Sequence, residues 1–409
     1  MINRNRLEEQ FAKLKEITAP GKGINRLAFT AEDRAGRAYV RSLMADAGLT
    51  VRQDAFGNLI GHYPGREDNL PAVMSGSHCD SVPQGGNYDG IVGILTSIEA
   101  VRSLHEQGKL PKHPLEIVAF QCEESSRFGA ATLGSKAMRG MLSVEDLRRL
   151  KDKNGKTLYE VLQENDLEPE KIHEAKYDRP LKAYYEVHIE QGKVLESKQK
   201  RIGVVTGIAA PTRLKVLLAG HANHSGATPM GLRQDAMCAA AEIILAVEIL
   251  AAEYSGAPVV GTVGVVNNTP NVMNVVPGNV QLGIDIRSIS EQAKAQVAKA
   301  VENQIMEICQ KRKVQVKIET ISQDKPAVMP KEVVAFLAGI CEQQDVPYIT
   351  MPSGAGHDAM HWTDYTATGM LFIPCRGGIS HHPDEYAEMN DIVTAAALLE
   401  QAIWLTANE

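Results

Sequence analysis

Residues 71–129 read PAVMSGSHCDSVPQGGNYDGIVGILTSIEAVRSLHEQGKLPKHPLEIVAFQCEESSRFG. Residues 71–75 are a short apolar run that stops at a cluster of polar residues. Ile94, Leu95, Ile98, Val101 and Leu104 then recur at the spacing of one helix face. Residues 115–122 are nearly continuous apolar sequence, rich in β-branched and aromatic residues, the pattern of a buried strand. Strand, helix and strand in that order predict an α/β domain with a mainly parallel, mixed sheet. Residues 182–189 and 369–374 supply further buried strands.

The periodicity changes near residue 212. Leu214, Val216 and Leu218 alternate, and residues 235–253 read as a long helix. Residues 259–266 are strand-like, and Val280, Leu282, Ile284 and Ile286 alternate strictly. A helix over 291–312 precedes a last alternating run, Val314, Val316 and Ile318. The order is strand, helix, strand, strand, helix, strand, with the two-residue period of a one-faced antiparallel sheet. This predicts a ferredoxin-like α+β domain at 212–328, inserted into a first domain made of 1–211 and 329–409. At 409 residues the chain is also too long for one comfortable core.

The net charge of −7 gives no electrostatic reason to bind nucleic acid or an anionic membrane. An anionic substrate would therefore need a local cationic pocket. The six cysteines are scattered, with no CxxC pair, as expected of reduced thiols in the cytoplasm. The amphipathic start, MINRNRLEEQFAKLKEI, lacks the apolar centre of a signal peptide, and no run of about 18 apolar residues predicts a membrane span.

Metal-type ligands close several of the predicted strands: His78 and Asp80 in SHCDS, Asp89 in GGNYDG, Glu123 and Glu124 in QCEESSRFG, His188 in YEVHIEQG, and His381 or His382 in ISHHPDE. Loops at the carboxyl ends of parallel strands are where an open α/β sheet builds its site. Imidazole and carboxylate suit zinc, with other divalent transition metals as substitutes. Three histidines and two carboxylates exceed what one catalytic zinc takes, and fit two ions roughly 3.5–4 Å apart sharing a carboxylate. Asp89, between Gly85, Gly86 and Gly90, is the expected bridge, since the backbone can turn sharply there. Asp80 is placed to hold the second ring nitrogen of His78. Of Glu123 and Glu124, one can bind metal while the other faces the attacking water.

Together SHCDS, GGNYDG, EESSRFG, HIEQG, HSGATPM, NVVPG, SGAGHDA and SHHP resemble the zinc-dependent carbamoylase and allantoate amidohydrolase group of the aminoacylase and di-zinc carboxypeptidase superfamily. The resemblance spans nearly the whole chain. It implies a di-metal exopeptidase-like catalytic domain in which His78, Asp89 and His188 hold one ion and Asp89, Glu124 and His381 the other. His381 is preferred to His382 by the pattern Ser-His-x-Pro. Two divalent ions per subunit follow, zinc first, with manganese, cobalt or nickel as alternatives. Glu123 would be the general base, Gln191 would contact the scissile amide, and His224 would polarise its carbonyl oxygen. Asn274 and Arg287 would bind the substrate carboxylate, helped by the backbone of Gly354, Ala355 and Gly356. Arg287 also lies, by alternation, on the face of its strand opposite Val280 to Ile286. The inserted domain would act as a lid and homodimer contact. Cys79 and Cys122 occupy positions where the group varies.

The leading expectation is an N-carbamoyl-L-amino-acid hydrolase acting on a small carboxylate-bearing ureido substrate. Allantoate amidohydrolase is the nearest rival, and a dipeptidase or N-acyl-amino-acid deacylase a more distant one. A catalytically silent metal-binding or dimerisation module, or a redox role for the cysteines, would be a different class of answer. The competing reading, weaker in each case, is a loop residue capped by Ser225 for His224 and an exposed strand charge for Arg287.

Overall fold

A computed structural model describes residues 1–409 and separates them into two compact units. The first comprises residues 1–206, 329–351 and 356–409. Its mixed sheet has a parallel centre of Leu115–Phe120, Ala72–His78, Leu181–Ile189 and Ala367–Ile373, in that spatial order. Antiparallel strands flank it, Leu59–Tyr63 on one side and Ile202–Ile208 on the other. The parallel centre is buried on both faces, which is why Leu115–Phe120 and Ala367–Ile373 read as nearly continuous apolar runs rather than alternating ones.

The helix Ile91–Glu106 is the crossover between the first two parallel strands and packs on the C-terminal helix Met389–Asn408. Leu95, Ile98 and Val101 are fully buried and share one core with Leu398, Leu399 and Ile403. The parallel register places His78 beside Phe120, and His188 beside Phe372, so the strands end together at one edge of the sheet. No helix is long and apolar enough to cross a membrane.

The second unit comprises residues 207–328 and 352–355. Its four strands lie in the order Gln315–Gln323, Ala210–Ala219, Asn279–Ser288 and Val260–Thr269, all antiparallel. Leu214, Val216, Leu218, Val280, Leu282, Ile284 and Ile286 point to one buried face, covered by helices Ala236–Ala252 and Glu291–Arg312. The period of two in the sequence is thus a direct record of a sheet with one dry face.

One expectation is corrected. The strand predicted over 115–122 stops at Phe120, because Cys122 turns into the left-handed region, with φ of 59°. The chain therefore breaks out of the sheet before Glu123 and Glu124.

Gly76, in the middle of the strand Ala72–His78, lies against its neighbour so closely that an added Cβ would sit 1.9 Å from the Val118 carbonyl oxygen. Gly76→Ala should therefore force the parallel pair apart and lower stability by about 1–3 kcal/mol, read as an earlier midpoint in urea unfolding.

Candidate metal centre

His78 is the last residue of its strand, and its ring is fixed from behind. Nδ1 lies 3.0 Å from the backbone oxygen of Asp80. His188, one residue before the end of its strand, is held the same way, with Nδ1 2.9 Å from the Ile189 carbonyl oxygen. A carbonyl can only accept, so each Nδ1 carries the proton and each Nε2 presents a lone pair. Both Nε2 atoms lie close to Oδ1 of Asp89, 3.3 Å for His78 and 3.2 Å for His188, and the Gly90 N–H also reaches His188 Nε2 at 3.3 Å. The other oxygen of Asp89 lies 3.1 Å from His381 Nε2, which is itself 3.3 Å from Glu124 Oε1.

Two groups of possible ligands result, His78 with Asp89 and His188, and Asp89 with Glu124 and His381. They share Asp89, the residue whose flanking glycines singled it out. Lone pairs of nitrogen and carboxylate oxygen facing each other repel unless a cation lies between them. A divalent ion answers that need, and the mixed imidazole and carboxylate donors suit a borderline metal such as zinc. A proton is the competing cation. Burial disfavours charge on His78, yet Glu123, Asp89 and Asp80 hold its ring well above the usual imidazole range. Hydrogen bonding to Asp89 and Glu124 pushes His381 up to about 11.

The loop carrying Asp89 needs its glycine. Gly90 has a φ of 68°, and a Cβ there would stand 2.6 Å from the His78 ring. From here the helix Ile91–Glu106 begins, so Asp89 is anchored by the same element that packs the core.

The Asp80 side chain is not where the sequence placed it. Its carboxylate is 3.8 Å from His78 Nδ1, too far for a hydrogen bond, and the backbone carbonyl of the same residue takes that contact. The two carboxylate oxygens instead accept the N–H groups of Glu123, at 3.1 Å, and Glu124, at 3.0 Å. The early end of the strand at Phe120 is the reason: the turned chain exposes two consecutive N–H groups that need acceptors. Asp80 thereby splays Glu123 and Glu124. Glu124 faces His381, while Glu123 Oε2 lies 3.8 Å from His78 Nε2 and belongs to neither ligand group. Burial pushes the Glu123 carboxyl well above the usual carboxylate range, opposed by His78 and reinforced by the like charges of Glu124, Asp358 and Asp80.

Gln191 reaches the same cluster, its Nε2 donating to Asp89 Oδ2 at 2.8 Å, while its buried Oε1 has no partner in the protein. The His357 ring lies tilted against that of His188, with centroids 4.4 Å apart. Burial, then the neighbouring His188, holds it well below the usual imidazole range. The sequence attached no role to it.

The second unit carries His224, Asn274 and Arg287. His224 Nδ1 accepts the backbone N–H groups of Gly226 and Ala227, both at 3.1 Å. Its Nε2 therefore carries a proton and is a fixed donor on an exposed side chain, rather than part of a ring capped by Ser225. The two-residue pairing of Asn223–His224 with Val275–Val276 sets Asn274 beside it, the Asn274 carbonyl accepting from Ser225 N–H at 2.9 Å. Arg287 makes a forked pair with Asp285, at 2.8 and 3.2 Å, and donates to the Gly354 carbonyl at 3.0 Å. Of five guanidinium N–H donors, three are used, and one on each terminal nitrogen remains. The Gly354 backbone thus steadies Arg287. The Ala355 N–H and carbonyl both engage the Ser353 hydroxyl, at 3.2 and 2.8 Å, and Gly356 belongs to the first unit.

Residues 74–405 match the model of peptidase family M20/M25/M40. The chain is 39% identical over 406 residues to an N-carbamoyl-L-amino-acid amidohydrolase of a Pseudomonas species, covering 98% of each. It is 39% identical over 388 residues to allantoate deiminase 1 of Glycine max, covering 87% of this chain and 80% of that one. Among solved structures it resembles an amidase of the hydantoinase/carbamoylase family from Burkholderia multivorans, with a TM-score of 0.93 and 34% identity, covering 100% of this chain and 98% of that one.

Gly90→Ala should tilt His78 and weaken divalent-metal affinity by roughly 10–100-fold while the circular-dichroism spectrum stays native. Metal uptake should release protons, measurable as buffer-dependent heat in calorimetry. Because His78 and His381 hold protons above their ordinary range, affinity should fall as pH is lowered and rise as it is raised.

Proposed function

The chain belongs to peptidase family M20/M25/M40, and from that premise we propose that it is a metal-dependent amidohydrolase cleaving the carbamoyl carbon–nitrogen bond of N-carbamoyl-L-amino acids. The products are the amino acid, ammonia and carbon dioxide. The observation that carries the reading is the pair of ligand groups sharing Asp89, with Glu123 left over beside them. A purely structural or silent metal site has no use for a spare buried carboxylate. The similarity to a carbamoyl-amino-acid amidohydrolase supports the choice of substrate.

His78, Asp89 and His188 would hold one ion and Asp89, Glu124 and His381 a second, with zinc the first choice. Such ions supply Lewis acidity and ready a water molecule for attack on the carbamoyl carbon. Glu123 takes the proton of that water and passes it to the departing nitrogen. Its high proton affinity suits a group that must hold the proton between the two transfers. The Nε2–H of His224 serves as donor to the carbonyl oxygen as charge develops there. Gln191 orients the amide. Asn274 and the two free N–H groups of Arg287 take the substrate carboxylate, for which a planar fork is the matching shape. We further assign the protein to the cytoplasm and the inserted segment to a lid and homodimer contact.

Allantoate carries a carboxylate and ureido groups and would use the same residues, a reading favoured by the similarity to an allantoate deiminase. Ammonia release from a panel of N-carbamoyl amino acids and allantoate decides between them: release from allantoate alone would overturn the first reading.

Glu123→Gln should keep its metal content and lose about 10²–10⁴-fold in turnover; undiminished turnover would remove Glu123 as the base. Arg287→Leu should raise KM for carboxylate substrates by roughly 10–100-fold, the weight of a charged hydrogen bond, and leave an uncharged amide analogue nearly unaffected. An equal rise for the analogue would rule out the carboxylate role.

A further inference from the structure

We propose that Glu385 is a positioning residue that clamps Asp89 and the His381 loop together, and so sets the affinity of the Glu124/His381 ion selectively. The inference rests on the di-metal reading above and adds to it a residue to which that reading gives no part.

Glu385 is buried, and its carboxylate faces the loops that carry Asp89 and His381. Oε1 accepts the backbone N–H of Tyr88 at 2.9 Å and of Asp89 at 3.0 Å. Oε2 accepts from the Ser380 hydroxyl at 2.9 Å, one residue from His381. One carboxylate thus ties two loops that are almost three hundred residues apart in sequence. A Cβ at Gly86 would lie 2.2 Å from the Glu385 carboxyl, so the second glycine of GGNYDG is the space this side chain occupies.

The hydroxyl of Ser380 has a single proton and two carboxylates to give it to, Glu385 Oε2 at 2.9 Å and Asp89 Oδ2 at 3.1 Å. Gln191 already takes one lone pair of Asp89 Oδ2, and donation to Glu385 leaves the other for a cation. Donation to Asp89 consumes it. Glu385 therefore both places the Asp89 backbone and draws the competing proton away from its side chain.

The dependence is unequal between the two ligand groups. His78 and His188 stand at strand ends with their rings fixed by neighbouring carbonyls. His381 lies in a loop with φ of 55° and a half-exposed side chain. Without Glu385 the Asp89 backbone and the His381 loop both loosen, while Asp89 Oδ2 keeps Gln191 and Glu124 keeps its brace through Asp80.

Metal-free protein is titrated with Co²⁺, whose visible absorption reports each ion, and stoichiometry is checked by elemental analysis. In Glu385→Ala the first ion should bind within about threefold of wild type, and the second about 10–100-fold more weakly. Glu385→Gln keeps an acceptor for the Tyr88 and Asp89 N–H groups and should restore most of the loss. Gly86→Ala, which displaces the same carboxyl from the other side, should act like Glu385→Ala and serves as the test if that variant does not fold. Amide exchange at Tyr88 and Asp89, measured without metal, should quicken in Glu385→Ala. Two ions bound with wild-type affinity in Glu385→Ala, or equal weakening of both without rescue by Gln, would overturn the inference alone. Wild-type protein that takes up fewer than two ions would overturn the di-metal reading, and this inference with it.

Discussion

The structure depends on keeping one buried carboxylate, that of Asp89, among three imidazole nitrogens. Two of those nitrogens are lone pairs by construction, because His78 and His188 give their other ring proton to backbone carbonyls. An anion facing two lone pairs is an unstable arrangement on its own. Everything around it follows from making the arrangement tolerable only with a cation present. Gly90 lets the His78 ring come close, Gly86 makes room for Glu385, and Gln191 holds the second oxygen of Asp89. The helix starting at Ile91 then fixes the loop to the core.

The same constraint explains the division of labour between neighbouring acids. A parallel strand cannot carry two carboxylates into the sheet edge without compensation. The chain leaves the sheet at Phe120, turns at Cys122, and offers the N–H groups of Glu123 and Glu124 to Asp80. One side chain is turned to His381 and the other is left near His78. Adjacent residues with no difference in chemistry between them thereby come to stand in different surroundings, one beside a possible metal ligand and one outside both ligand groups.

Much of this was legible in the sequence because its physical causes are local. A parallel sheet covered on both faces favours nearly continuous apolar strands, so the run over 115–122 could be read as a strand, though its true end at Phe120 could not. A sheet with one dry face demands alternation, so Val280, Leu282, Ile284 and Ile286 could be read too. The candidate ligands at strand ends were visible because polar residues at the close of an apolar run are costly without a purpose. Glu385 was not visible as a partner of Asp89, since nothing within a few residues of either tells that their loops meet. The Asp80 contact was misjudged for a related reason: alternation along an extended chain says which way a side chain points, not which donors will arrive from another strand's turn.

The sequence by itself determined the element types, the parallel class of the main sheet, and the residue types gathered at its carboxyl edge, because helix period, strand period and the cost of burying charge all act over short distances. Only the tertiary structure decided which nitrogen of each histidine is free, which oxygen of Asp89 each ring meets, which glutamate of the pair is spare, and that Glu385 closes the site. Those are settled by groups brought together from distant parts of the chain, where hydrogen-bond geometry at the scale of a few tenths of an ångström selects among contacts that composition leaves equivalent.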